Sequence, residues 1–345
     1  MKALASIRAG GPESLELVDM PVPDPGPAQL LVRTLACGIN YPDVLIIEDR
    51  YQSRPPRPFI PGGEIAGIVE RVGDGVAGWA VGDQLVAVPG IGGLAEYIVI
   101  AADAAFALPA ELNATQAAGL LLTYATAIHA LVDRGQLKSG ETLLVLGAAG
   151  GVGLAAIEIG KALGATVVAA VSEADKATAA TAAGADRTVI YARGPFDKDG
   201  SKILGGQFKD AGGGNGYDVV YDPVGGEYCE PAFRSMGWGG RYLVVGFPAG
   251  IPRLPLNLTL LKSCDVRGVF WGAFAARYPG ANRAHVEQLM HWWRDGVISP
   301  KVGRTWPLNQ GGEAIAWLAN RQAIGKAVVI IAPATTGAPA TRMPE

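Results

Sequence analysis

The chain is 345 residues long, with 29 Lys plus Arg against 32 Asp plus Glu, a formal net charge of -3 and no basic block, which argues against a nucleic-acid partner. Hydrophobic residues make up 49% and charged residues 18%, enough for sizeable cores in two domains or one large one and too little charge for a disordered chain. Three cysteines, Cys37, Cys229 and Cys264, are far apart and show no C-x-x-C spacing, so neither a disulfide framework nor a four-cysteine zinc site is expected.

The N-terminus meets charge at Arg8, Glu13 and Glu16 before an apolar core of signal-peptide length can form, so no secretory signal is read there and the cytoplasm is the expected compartment. Short β-rich runs follow, Gln29 to Thr34, Ile65 to Val72, Gln84 to Val88 and Glu96 to Ile100, separated by Gly and Pro, and predict an all-β or barrel-like module. The uncharged run Leu112 to Val132 carries Asn113, Thr115, Gln116, Thr123, Thr126 and His129, which predicts a buried helix with a polar edge and no membrane span.

From about residue 140 the apolar runs Thr142 to Leu146, Thr166 to Val171, Thr188 to Tyr191, Asp218 to Tyr221 and Tyr242 to Val245 recur with helical segments between them. That alternation is the βαβ pattern of a parallel sheet covered on both faces. An apolar run, Val266 to Trp271, precedes an amphipathic helix with Val286, Leu289, Met290 and Trp293 on one face, and a last strand is expected at Ala327 to Ile331. The tail PATTGAPATRMPE lacks the hydrophobic content to fold and is expected to be mobile. With no linker between independent modules, the doubly wound domain reads as inserted into a discontinuous partner.

The segment TLLVLGAAGGVGLAAIEIGKALGATVVAAVSEADK reads as strand, glycine turn, helix, strand, with Ala148, Gly150 and Gly153 at the three positions of G-x-G-x-x-G and Gly151 and Val152 between them. The middle glycine admits a pyrophosphate to the backbone, the last admits the helix to the sheet, and the helix N-terminus offers unpaired N–H groups to the anion. About 20 residues on, where an acidic residue would bind the ribose hydroxyl of NAD, the chain has Ser172, and Lys176 follows one helical turn later. Serine leaves room for a 2'-phosphate and lysine offers it charge, which favours NADPH; Glu173, next door, is the residue that speaks for NADH.

These features, with GINYPDV (Gly38 to Val44), PFIPGGEIAG (Pro58 to Gly67), VGD (Val81 to Asp83), GLAEY (Gly93 to Tyr97), AAGGVG (Ala148 to Gly153) and YDVVYDPVGG (Tyr217 to Gly226), resemble the medium-chain dehydrogenase/reductase superfamily, and within it the zinc-independent quinone oxidoreductases of the zeta-crystallin type. The resemblance implies an α/β fold, a Rossmann doubly wound parallel sheet (residues 123–262) inserted into a discontinuous GroES-like β-barrel catalytic domain (1–122 and 263–331), with 332–345 as a flexible tail. It also implies a homodimer formed by edge pairing of the nucleotide domains, with Val266 to Trp271 contributing. Zinc members carry ligands where this chain has Asn40, Gly63 and Leu122, so no metal is expected.

By the same resemblance the nicotinamide cleft is lined by Asn40, Asp43, Tyr51 and Thr126, and the 2'-phosphate pocket by Ser172, Lys176, Tyr191 and Arg321. The loops at Val224, Gly246 to Phe247 and Phe270 through Trp271 to Gly272 are expected to close over the nicotinamide. Family members often place a second tyrosine where this chain has Leu45. Arg50, Arg54 and Arg57 surround Tyr51, either facing inward to an anionic acceptor such as an acyl-CoA or standing in a solvated loop.

Without a metal, reduction has to rely on holding the dihydronicotinamide about 3 to 3.5 Å from an acceptor that is already electrophilic. The expected function is NADPH-dependent hydride transfer to a quinone, with Asn40, Tyr51 and Thr126 orienting the acceptor oxygen. The alternatives are reduction of activated C=C bonds in enones, enals or acyl thioesters, and a non-enzymatic, crystallin-like NADPH-binding protein. His129, His285 and His291 have no Ser or Cys motif nearby and read as structural.

Overall fold

Apolar runs with little polar alternation build the central strands, such as β8 (Thr142–Leu146) and β9 (Thr166–Val171), because both of their faces are covered. The computed structural model describes residues 1–332; the segment 333–345, which carries the expected mobile tail, lies outside the described residues. The strands in chain order are β1 (Lys2–Ser6), β2 (Leu15–Asp19), β3 (Gln29–Ile39), β4 (Glu64–Val72), β5 (Gln84–Ala87), β6 (Tyr97–Ala101), β7 (Ala105–Ala107), β8 (Thr142–Leu146), β9 (Thr166–Val171), β10 (Arg187–Ile190), β11 (Tyr217–Asp222), β12 (Met236–Val244), β13 (Asp265–Gly268), β14 (Val302–Pro307) and β15 (Lys326–Ile330).

One compact unit comprises Met1–Ala118, Thr305–Ile315 and the chain from Val328. Its main sheet has the order β14-β15-β3-β4-β5-β7, with β6 also on β3, and β1 and β2 form a separate antiparallel pair. The pairs β3–β4, β3–β6, β4–β5 and β5–β7 are antiparallel. Leu30, Leu31, Val32, Leu35, Ala36 and Cys37 of β3 are all buried, which makes this long strand the spine of that core.

The other unit comprises Gly119–Arg304 and Ala316–Ala327. Its six strands are all parallel, in the order β10-β9-β8-β11-β12-β13. Numbered within the unit, that order is 3-2-1-4-5-6, the doubly wound Rossmann arrangement, whose ligands bind outside the carboxyl ends of the strands, where the order reverses between β8 and β11. Its core joins Leu144, Val168, Val220 and Tyr242 of the sheet to Leu204 and Phe208 of the helix Lys198–Gly212.

Residues 263–304, expected to belong with the barrel, lie in this unit, because β13 extends the parallel sheet from β12 and the helix Pro279–Arg294 packs on the helical stretch Leu121–Ala125. That helix buries Val286, Leu289, Met290 and Trp293, as its periodicity predicts. The expected run Val266 to Trp271 is divided: β13 ends at Gly268, and Trp271 opens the helix Trp271–Arg277. β12 starts at Met236, before the expected Tyr242, because Gly237, Gly239 and Gly240 carry no apolar period while Met236 still pairs with Tyr217 across a register shift.

The polar-edged run expected as a helix is helical in pieces, Ala114–Ala117, a π-helical Leu121–Ala125, Thr126–Ile128 and a π-helical His129–Arg134. Such π-helical turns recur at functional sites. Among the described residues no helix is long and apolar enough to cross a membrane.

Candidate active site

The glycine turn stands at the carboxyl end of β8 and opens the helix Gly151–Ala162, with Gly150 at its N-cap in extended conformation and no side chain capping it. The first helical N–H groups therefore point outward unpaired, the arrangement that receives an anion. A Cβ on Gly153 would stand 2.5 Å from the Gly147 carbonyl oxygen and 2.7 Å from the Ala148 Cα, so glycine is required there by the chain's own packing. A Cβ on Gly150 would meet only the Gly147 oxygen, at 3.5 Å. Nothing in the protein demands glycine at 150, and the space it leaves open fits a dinucleotide pyrophosphate laid against the backbone. Ala148 is buried, its N–H donating to the Ala170 carbonyl, while Gly151 and Val152 are half-buried.

The structure brings Ser172, Lys176 and Arg321 together at the end of β9. Lys176 Nζ donates to the Arg321 main-chain carbonyl at 3.0 Å and to Ser172 Oγ at 3.4 Å. Burial pushes the Lys176 pKa down, against the pull of the Glu173 carboxylate, and Arg193 lowers it further. Arg321 holds a left-handed backbone, φ 57°, and its guanidinium donates to the Pro248 carbonyl at 3.1 Å. Glu173 is ion-paired to Arg193, with Lys176 Nζ 3.8 Å away, so its charge is offset by two cations. Arg193 was not foreseen, since it lies outside the strand pattern that marks this pocket.

Tyr191 is buried in the core against Phe208 and Tyr228; burial and the neighbouring Tyr228 and Asp222 raise its hydroxyl pKa, opposed by a hydrogen bond with the Gly147 backbone of the glycine turn and by Arg193. An apolar strand end packed on other aromatics is the physical reason for this placement.

Loops at the carboxyl ends of β11 and β12 stand beside the glycine turn. The buried Asp222, absent from the sequence-based set, accepts from the N–H groups of Val224 and Gly225, both at 2.8 Å, and from the Tyr242 hydroxyl at 2.6 Å. Burial raises its pKa and these hydrogen bonds oppose the rise. Val224 lies close to Gly147, Gly246 donates to the Asp222 carbonyl, and Phe247 is exposed. At the end of β13, Phe270 and Gly272 are exposed. Trp271 between them is buried, with its indole N–H on Asn282 Oδ1 at 2.8 Å, so its side chain packs within the unit.

In the barrel unit, Asn40 precedes the helix Tyr41–Ile47, and Asp43, at its third position, accepts from the Asn40 N–H at 2.7 Å. Asn40 Nδ2 donates to Glu64 Oε2 at 2.9 Å and to the Gly38 carbonyl at 3.2 Å, and Asp43 Oδ1 accepts from the Gly62 N–H at 3.1 Å. Asp43 thus holds a helix start and a turn, as a buried carboxylate with hydrogen bonds to both oxygens. Tyr51 is half-buried, and burial, with the nearby Asp43 carboxylate, raises its pKa, which keeps the hydroxyl protonated as a donor. Thr126 belongs to the other unit, half-buried at the start of a single helical turn.

Arg57 is taken up by local structure: it pairs with Asp49 at 2.8 Å, donates to the Ile47 carbonyl and to Ser6, and stands over the Phe59 ring. Arg50 pairs with Glu48 and Arg54 is exposed. Among the described residues, no group of three or more His, Cys, Asp or Glu side chains could hold a metal ion.

Comparison with known proteins matches this geometry. Residues 26–110 fit the alcohol dehydrogenase GroES-like domain, and residues 151–287 fit the zinc-binding dehydrogenase family. The bovine quinone oxidoreductase-like protein 2 is 34% identical over 306 residues, covering 88% of this chain and 85% of that protein. Human quinone oxidoreductase is 30% identical over 322 residues, covering 91% and 92%. The structure of Escherichia coli quinone oxidoreductase complexed with NADPH superposes with a TM-score of 0.87 at 30% identity, over 96% of this chain and 100% of that one. The chain belongs to the medium-chain dehydrogenase/reductase superfamily, as an oxidoreductase of the quinone oxidoreductase-like family.

Proposed function

We propose that the protein is an NADPH-dependent reductase that delivers hydride to quinones without a metal. The observation that carries this reading is the Lys176 ammonium held between Ser172 Oγ and the Arg321 backbone carbonyl, with the neighbouring Glu173 carboxylate already ion-paired to Arg193. A 2'-phosphate accepted there gains charge-assisted hydrogen bonds, whereas a ribose hydroxyl would face Ser172 and a spent carboxylate. The bound dinucleotide supplies the hydride. The N-terminus of Gly151–Ala162 receives its pyrophosphate, and Asp222 fixes the Val224 turn beside Gly147.

In the barrel unit the Tyr51 hydroxyl, kept protonated, is the donor offered to an acceptor oxygen as negative charge develops on it; in the nucleotide unit Thr126 offers a hydroxyl. Asn40 and Asp43 act through the backbone that they hold. Activated alkenes are the second acceptor class, favoured by Leu45, an apolar residue where relatives often carry tyrosine. NADPH and NADH oxidation against a quinone and an enone, with and without chelator, tests the proposal. NADPH-selective, chelator-insensitive quinone turnover supports it.

The protein acts as a homodimer in this reading. β13 is an edge strand with Val266 exposed, and antiparallel self-pairing centred on Val266 sets Asp265 of one copy across from Arg267 of the other.

A further inference from the structure

A groove of about 500 Å3 lies in the nucleotide unit, walled by the aromatic rings of His129, Phe270, Phe274 and Tyr278, by Ala273, by the guanidinium groups of Arg134 and Arg277 and by one carboxylate, Asp133. Its floor is rigidly built. The Phe274 ring stacks on the His129 imidazole at 4.0 Å between centroids with 19° between planes, and it faces His285 on a second approach at 5.7 Å and 24°. Both histidines meet one carboxylate: His129 Nδ1 is 2.6 Å from Asp133 Oδ2, and His285 Nε2 is 3.5 Å from Asp133 Oδ1. Asp133 therefore directs its charge at both imidazoles and holds the His129 ring, on which Phe274 stacks, by a hydrogen bond. Tyr278 continues the aromatic wall, 5.7 Å from Phe274.

Two features of this groove have no use in holding the fold. Phe270 and Tyr278 are large aromatics left 63% and 60% exposed. Arg277, also exposed, makes no hydrogen bond or ion pair among the described residues, and Arg134 commits its Nε to the Gly268 carbonyl at 3.0 Å. Aromatic faces beside guanidinium groups form a receptor for a flat ring bearing an anion, since arginine both stacks on rings and pairs with carboxylate or sulfonate. The groove opens beside Phe270, at the carboxyl end of β13, and the glycine turn occupies the carboxyl end of β8 in the same sheet.

We propose that this groove binds flat aromatic anions and serves as the acceptor subsite, so that the preferred acceptor is a conjugated ring carrying a carboxylate or sulfonate. The acceptor role rests on the reductase reading above; the binding of an aromatic anion does not. Selectivity for an anionic acceptor thus resides in Arg277 and Arg134, and not in Arg50 and Arg57, which are paired within the barrel unit.

Calorimetric titration of the full-length protein with 2-naphthoate and with neutral 2-naphthamide tests the site directly. The expected result is binding of the carboxylate at least roughly 10-fold tighter than the amide, as for a hydrogen bond to a charged group. Arg277→Gln should abolish that preference while leaving amide binding unchanged, and Phe270→Ala should weaken both ligands. Equal affinity for the two ligands, or an unchanged preference in Arg277→Gln, would overturn the proposal, as would a change in oligomeric state on Arg277→Gln, which would make the groove an interface.

Turnover of 1,2-naphthoquinone-4-sulfonate and 1,2-naphthoquinone with NADPH then tests the acceptor role. A preference for the sulfonate that disappears in Arg277→Gln supports it. Intact naphthoate binding with no turnover of either quinone would overturn both the reductase reading and the acceptor role, while leaving the anion site standing.

Discussion

The Lys176 ammonium nitrogen lies 3.0 Å from the main-chain carbonyl of Arg321, 145 residues away in the chain. The contact ties the helix Ala174–Ala182 after β9 to the turn before β15, and so brings the Arg321 backbone to the Lys176 ammonium, while the Arg321 guanidinium reaches the Pro248 carbonyl. Lys176→Ala and Arg321→Ala should each raise the KM for NADPH by roughly 10- to 100-fold, the weight of one hydrogen bond to a charged group, with little change for NADH. Steady-state kinetics with both cofactors checks this, and equal losses for the two would contradict it.

Burial lowers the Lys176 pKa, so its charge is lost earlier than that of an ordinary lysine as pH rises. NADPH affinity should fall on raising the pH toward the alkaline range, while NADH affinity stays flat. Titrating dissociation constants for both cofactors from pH 7 upward reads this out.

The two glycines of the turn differ in what they must accommodate. Gly150→Ala leaves the chain's packing alone, because a Cβ there meets only one oxygen at 3.5 Å, so melting temperature should hold while cofactor binding is weakened. Gly153→Ala drives a Cβ to 2.5 Å from the Gly147 oxygen and should destabilise the protein by about 1–3 kcal/mol. Thermal melts and dinucleotide titrations of both variants separate the two roles.

Much of this was legible in the sequence. β8 and β9 fall on their expected runs because buried parallel strands are uninterrupted apolar stretches, and the amphipathic helix Pro279–Arg294 follows its period. Ser172 and Lys176 follow from their place at the end of the second strand after the glycine turn, whereas Arg321 comes only through the family resemblance, since no local pattern links residue 176 to residue 321. The packing of Trp271 on Asn282 and of Tyr191 on Phe208 was not legible, because an aromatic at a strand end looks the same in sequence whether it faces a ligand or a core. The pairing of His129 and His285 through Asp133 was not visible, because the contact joins segments about 150 residues apart.

Desolvation holds the His285 pKa below its ordinary value, opposed by Asp133 and reinforced by His129. A base whose folded pKa is depressed binds fewer protons than in the unfolded chain, so its contribution is present above the unfolded value, about 6.5, and is lost as pH falls through the folded one. The melting-temperature advantage of wild type over His285→Gln should therefore shrink between pH 7.5 and pH 5. Parallel pH profiles for the two proteins would contradict this.

Self-pairing of β13 about Val266 predicts a charge-swap pattern. Asp265→Arg alone should weaken the dimer by placing like charges across the seam, and adding Arg267→Asp should restore it. Sedimentation across a concentration series distinguishes this from an interface elsewhere, for which neither variant would alter the dimer.

The central claim is NADPH-dependent hydride transfer to a quinone by a site built from protein groups alone. The most direct measurement is the initial rate of NADPH and NADH oxidation with 1,2-naphthoquinone, in the presence and absence of a chelator. Turnover that prefers NADPH and is indifferent to the chelator is the expected result; loss of activity on chelation, or an equal rate with NADH, would rule out a metal-free, NADPH-selective site.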